Sequence, residues 1–130
     1  MTAAPDIVPA ATAIIPCNDL DAAEAWWNRL GFTRAAGEGY DDYRMLSDDR
    51  GGAVHLTRAV AGWLVPGANP FGLYLYRPDV DDLAHALGDE IIEPEGASDK
   101  PWGMYEFALN GPDDLLVRIG WPTRLRQPHD

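Results

Sequence analysis

Asn18-Asp19-Leu20-Asp21-Ala22-Ala23-Glu24-Ala25-Trp26-Trp27 follows the strand-like Ala13-Ile14-Ile15, and Asp79-Val80-Asp81-Asp82-Leu83-Ala84-His85-Ala86-Leu87 follows the strand-like Leu73-Tyr74-Leu75-Tyr76. The same order of strand, acidic helix start and apolar helix face thus occurs twice, about sixty residues apart. Each helix runs into a glycine and then into further short strands. Two β-α-β-β-β halves predict an α+β fold, a curved, pseudo-two-fold mixed sheet with a groove at its centre. What lines that groove separates a metalloenzyme from a binding protein.

Working outward, the first helix is expected from about Asp19 to Leu30, with Asn18 or Asp19 as its cap and Asp21 and Glu24 favourable in the first turn. Leu20, Ala23, Trp27 and Leu30 fall on one face, and Gly31 is the natural stop. Phe32 to Ala36 reads as a strand, followed by a turn at Gly37 and Gly39. Tyr43 and Met45 enter a hairpin that returns through Ala53 to Arg58. In the second half, Asp79 is expected to cap the helix, Glu90 to Glu93 to form a short strand and Glu95 to Pro101 a polar loop. Gly103 to Leu109 alternates, with Met104, Glu106 and Ala108 on one face and Tyr105, Phe107 and Leu109 on the other. Asn110 to Asp114 is a turn, Leu115 to Trp121 the last strand, and the tail is expected to be poorly ordered beyond Leu125. The chain of 130 residues reads as one domain, with module one at about 10–60, a Gly- and Pro-rich linker at about 60–70 and module two at about 71–122. Neither module is large enough to bury its own core, so the two should share one.

The net charge of −11 argues against nucleic acid and against anionic membranes as partners. It permits attraction of cationic ligands, although an acidic surface that merely keeps the protein in solution is the more frequent meaning. Cys17 is the sole cysteine and closes an apolar strand, where a small buried thiol is the usual reading. With no basic-then-apolar leader and no apolar run of spanning length, a cytoplasmic location is expected.

This layout resembles the vicinal oxygen chelate superfamily, which includes glyoxalase I, extradiol dioxygenases, fosfomycin-resistance enzymes and bleomycin-resistance proteins. Four pieces carry the resemblance, in order: Cys17-Asn18-Asp19-Leu20, Trp27-Asn28-Arg29-Leu30-Gly31-Phe32, Arg77-Pro78-Asp79-Val80-Asp81 and Asn110-Gly111-Pro112-Asp113. Within the superfamily the sequence is most similar to the bleomycin-resistance proteins. Pro101-Trp102-Gly103 with Glu106-Phe107-Ala108-Leu109, His55-Leu56-Thr57-Arg58 with Val65-Pro66-Gly67-Ala68-Asn69, and Tyr40-Asp41-Asp42-Tyr43 carry that closer likeness.

The resemblance implies metal-ligand positions at Thr12, His55, Gly72 and Arg118. Only His55 could bind a divalent cation well, since Gly72 has no side chain and Arg118 carries donors and a fixed positive charge. A three-ligand catalytic site cannot be assembled from this set, so no metal and no cofactor are expected. His55 reads more simply as a strand histidine hydrogen-bonded in or near the groove. His85 on a helix and His129 in the tail add nothing.

The expected function is a metal-free dimeric binding protein that sequesters a bleomycin-like or other planar cationic molecule. Trp102, at a loop-to-strand entry, is the first candidate for stacking, against the alternative that it packs on the sheet. Tyr43 and Tyr40 are candidate partner rings, and Trp63 in the linker is either a groove wall or a dimer contact. Trp26 and Trp27 belong to the core or an interface. Asp41, Asp42 and Glu106 could hold a cationic tail, with His55 and Arg118 also in the groove. The resemblance further implies a homodimer with its N-terminal segments exchanged, and Ala4 to Pro9 could be that arm. Two other functions stay open: a metal-dependent lyase, isomerase or dioxygenase with an unusual site around His55, and a non-catalytic interaction module.

Overall fold

The register of two parallel strand pairs organises the molecule. In the computed structural model, which describes residues 10–34 and 40–126, β1 (Ala13–Cys17) lies parallel to β4 (Ala53–Arg58), with Ile14 opposite His55. Likewise β5 (Gly72–Tyr76) lies parallel to β8 (Leu116–Pro122), with Tyr74 opposite Arg118. The crossovers contain the helices α1 (Leu20–Asn28) and α2 (Val80–Ala86). Antiparallel neighbours β3 (Tyr43–Ser47) and β2 (Thr33–Arg34) complete one four-stranded sheet, ordered β1-β4-β3-β2. β7 (Met104–Asn110) and β6 (Ser98–Asp99) complete the other, ordered β5-β8-β7-β6. The curved sheet expected from the repeat is therefore two mixed sheets, one in each half, with the same internal order. The proposed arm at Ala4 to Pro9, the turn at Gly37 and Gly39, and His129 lie outside the described residues.

Helix α1 forms where its pattern says it should. Asp19 caps it by accepting a hydrogen bond from the Ala22 amide at 3.0 Å. Leu20, Ala23, Trp27 and Leu30 are all buried, and Gly31 ends the turn at a φ of +88° that an L side chain adopts poorly. Trp27 meets Phe32 edge-on at 5.2 Å. One continuous cluster of buried side chains includes Ile15, Cys17 and Trp27 from the first half and Leu83, Phe107 and Ile119 from the second. Burial of Cys17 pushes its thiol pKa up from 9.0 to about 12, with Asp113 adding to the rise and Arg44 opposing it.

Three local expectations are corrected. The Asp79 side chain does not cap α2; both its oxygens accept hydrogen bonds from Arg77, each at 2.9 Å. Arg77 in turn donates to the Leu30 carbonyl at 2.7 Å and so ties the second half to the end of α1. The segment 90–93 is not a strand: a 3-10 turn at Gly88–Glu90 leads to a single bridge between Ile91 and Leu109. Strand β6 instead arises inside the loop expected at 95–101, through main-chain pairing of Ser98 and Asp99 with Glu106 and Tyr105. Arg126, the last described residue, is held by a 2.9 Å ion pair to Asp81 and by stacking its guanidinium 3.4 Å from the Tyr105 ring centre; the rest of the tail expected to be poorly ordered, 127–130, lies outside the described residues. Among the described residues, no helix is long and apolar enough to cross a membrane.

Candidate functional site

Alternation along the strands sends one set of side chains to the helices and the other to the opposite face of each sheet. In the second sheet, Phe107, Leu109, Val117 and Ile119 belong to the core, as the sequence pattern requires. Gly72, Tyr74 and Tyr76 on β5, Leu116, Arg118 and Gly120 on β8, and Met104, Glu106 and Ala108 on β7 occupy the other face. Tyr74 and Tyr76 tilt against each other with ring centres 4.9 Å apart. Gly120 creates the room for Tyr74: a Cβ at position 120 would fall 2.1 Å from the Tyr74 hydroxyl and 2.8 Å from the Glu106 Cβ.

Trp102 stands at the edge of this face on the turn that joins β6 to β7. Gly103 takes a φ of +86°, Lys100 N–H donates to the Met104 carbonyl at 2.7 Å, and Thr123 N–H donates to the Gly103 carbonyl at 2.9 Å. The backbone under Trp102 is thereby fixed, and the ring remains 63% exposed. At that exposure the Trp102 ring does not belong to the buried core. Its indole Nε1 donates to Oε1 of Glu106. Glu106 is only 1% exposed, so it offers no open carboxylate to a cationic tail, contrary to the expectation for that residue. Its second oxygen, Oε2, and the neighbouring Tyr74 hydroxyl are both buried, and no hydrogen bond of regular geometry reaches either. Burial, and then the adjacent Glu106 carboxylate, push the Tyr74 pKa up. Arg118 is half-buried on the same face and makes no hydrogen bond or ion pair among the described residues.

The first sheet presents a second group. Tyr43, Met45, His55 and Thr57 share the face away from α1, beside Ile14. The Tyr43 hydroxyl and His55 Nδ1 share a hydrogen bond of 2.8 Å, and their rings meet edge-on at 5.3 Å. Tyr40 is exposed and bridged to Tyr43 through the main chain. Asp41 and Asp42 are exposed on the intervening turn, and the Asp41 carbonyl accepts from the buried Arg44 guanidinium. Trp63 is exposed and lines an apolar cavity of about 380 Å³ with Ile14, Pro16, Phe71, Leu73 and Leu115. The structure thus brings Tyr43 to His55, and Trp102 to Glu106. Among the described residues no hydrogen bond or ring contact joins these two groups within one chain. Sequence reading missed Tyr74, Tyr76 and Gly120. The alternation in Gly72-Leu73-Tyr74-Leu75-Tyr76, with leucines on one face and tyrosines on the other, carried the signal for the two rings.

The residues do not fit a divalent cation. Ile14, not Thr12, lies directly across from His55, and Tyr74, not Gly72, across from Arg118. That set holds one good ligand, and its Nδ1 is engaged by Tyr43. Among the described residues no three His, Cys, Asp or Glu side chains cluster as a metal site.

Solved structures place this geometry. A bleomycin-binding protein complexed with bleomycin superposes with a TM-score of 0.70 at 21% identity, over 88% of this chain and 98% of that one. The chain has the fold of the bleomycin-binding proteins. A bleomycin resistance determinant encoded on the transposon Tn5 is similar at a TM-score of 0.71 and 22% identity, over 88% of this chain and 98% of the other. The fold also extends to an enzyme: lactoylglutathione lyase from Agrobacterium tumefaciens is similar at a TM-score of 0.64 and 19% identity, over 93% and 98% of the two chains. No family model matches the sequence, and no curated protein matches it.

Proposed function

We propose that this protein binds and sequesters a planar small molecule of the bleomycin kind, without chemistry of its own, and does so as a homodimer. The observation that carries this reading is Trp102: a large ring on a rigid turn, 63% exposed, tethered by its N–H over the open face of the second sheet. Exposed aromatic rings on fixed backbone suit stacking on flat heteroaromatic ligands. The donor set at His55 and Arg118 disfavours the lyase, isomerase or dioxygenase reading, because those chemistries need an electrophilic metal that these side chains cannot hold. Asp41 and Asp42 remain open carboxylates for a positive group, whereas Glu106 does not. The exposed Ile14, Trp63, Phe71 and Tyr76 give a second copy apolar surface to cover.

Titration calorimetry with metal-free bleomycin tests the reading. Wild type is expected to bind, and Trp102→Ala to lose about 1 to 3 kcal/mol, the scale of base–aromatic stacking, which is roughly a five- to hundredfold weaker Kd. Its melting temperature should stay close to wild type, since the ring supports no core residue. Wild-type protein that ignores bleomycin at millimolar concentration, or a Trp102→Ala protein that binds as wild type does, would remove the reading.

A further inference from the structure

Glu106 is costly where it stands. A carboxyl group buried to 1% exposure is costly to desolvate, yet among the described residues it has no cationic partner, and no hydrogen bond of regular geometry reaches its second oxygen, which has the Tyr74 hydroxyl beside it. Three strands cooperate to keep it there. Glu106 comes from β7, Tyr74 from β5 lies against it, and Gly120 on β8 leaves the gap that Tyr74 fills. The single directional bond this assembly makes outward is to the Trp102 indole. The turn beneath Trp102 is already rigid, so the freedom left to that residue is rotation of the ring about its side-chain bonds. A ring 63% exposed has too little packing to choose one rotamer. A directional N–H···O bond to a buried, fixed acceptor does choose one.

We propose that Glu106 is the positioning residue of the binding face: its buried carboxylate, backed by Tyr74 in the space left by Gly120, holds the Trp102 ring in its ligand-ready orientation and does not itself touch the ligand. This rests on the reading that Trp102 is a ligand contact. Pre-organisation of this kind strengthens binding by removing the ordering cost of a side chain at the moment of association.

The test uses full-length protein in three variants, Glu106→Gln, Glu106→Leu and Trp102→Phe. Indole N–H resonances are followed in ¹H–¹⁵N spectra, with Trp102 assigned by its absence in Trp102→Phe. In wild type its indole proton should lie downfield and exchange slowly, as expected for a bond to a carboxylate. Glu106→Leu should move it upfield and speed its exchange, without a lower melting temperature, because a buried polar group of incomplete hydrogen bonding has been replaced by an apolar one. Glu106→Gln should keep most of the protection, since the amide carbonyl can accept from Trp102 while its NH₂ faces the Tyr74 hydroxyl. Metal-free bleomycin should bind the Gln variant within about threefold of wild type and the Leu variant roughly tenfold more weakly. Adding Glu106→Leu to Trp102→Phe should weaken binding no further. An unchanged indole resonance in Glu106→Leu overturns the proposal, as does a Leu variant that loses the resonance shift but binds as wild type does. If wild type does not bind bleomycin at all, the sequestration reading fails, and the resonances alone still decide whether Glu106 fixes the ring.

Discussion

Asp79→Ala should destabilise this protein more than removal of the arginine it holds. Arg77 is 8% exposed and spends its guanidinium on three acceptors: the Leu30 carbonyl at 2.7 Å and the two Asp79 oxygens at 2.9 Å each. Asp79→Ala leaves a buried cation with one acceptor. Stripping the partner from a buried ion costs about 3 to 5 kcal/mol. The low end applies here, because 28% of the Asp79 side chain is exposed and water can reach the vacated position. Arg77→Met removes the charge itself. It leaves the Leu30 carbonyl unpaired and returns Asp79 to water, which costs about 1 to 2 kcal/mol. The double variant should resemble Arg77→Met alone, a coupling of about 3 kcal/mol, equal to the whole cost of Asp79→Ala. The Asp79 side chain makes no capping bond to α2, so loss of a helix cap does not enter the comparison. Urea unfolding with an unchanged slope is the assay, supported by melting, where each kcal/mol should shift the midpoint by about 3 to 5 °C at this size. Equal losses in the two single variants, or simple additivity in the double, would refute the reasoning.

Two further outcomes are expected. Cys17 carries a thiol pKa raised from 9.0 to about 12 by burial, so the folded state keeps a proton that the unfolded chain releases. Stability should therefore fall as pH rises from 9 towards 12, Cys17→Ala should flatten that part of the profile, and a thiol reagent at pH 8 should label Cys17 only after unfolding; rapid native labelling would contradict the burial argument. Light scattering should give twice the chain mass at micromolar concentration, and Ile14→Asp should lower it, because Ile14 lies 60% exposed among the apolar residues beside Trp63; a monomer at every concentration would exclude dimerisation.

Much of the fold was legible because its signals are local. The 3-4-3 spacing of Leu20, Ala23, Trp27 and Leu30, the stop at Gly31 and the alternation from Met104 to Leu109 are periodicities that the backbone imposes directly. Strand β6 was not legible. It is an edge strand of two residues, held by main-chain bonds to β7, and neither Ser98 nor Asp99 buries an apolar side chain to mark it. The role of Asp79 was misread because capping is decided within a turn, whereas Arg77 reaches forty-seven residues back to Leu30. The site divides the same way. Flanking Pro101 and Gly103 marked Trp102 as a ring on a turn. Burial of Glu106 depends on rings from another strand and from the turn, together with the missing side chain of Gly120, and no window of sequence contains all of these.

The same long-range geometry explains why these strand positions do not fit a divalent ion, although a lyase shares the fold. A catalytic divalent ion needs at least three donors with an open position left over. Across β1 and β4, and across β5 and β8, the directly opposed residues are Ile14 with His55 and Tyr74 with Arg118. Replacing Arg118 alone would not restore a site. His55 has one nitrogen committed to Tyr43, Ile14 offers no donor, and the Tyr74 phenol is held protonated by burial. With Arg118 in place, a fixed positive charge on this face further disfavours a cation beside it. Of the four opposed residues, one is an imidazole and the other three are an aliphatic side chain, a phenol and a guanidinium, short of the three donors a catalytic ion needs. Under the proposed reading, rings over a sheet lowered by Gly120 hold a flat molecule in place without an electrophilic metal.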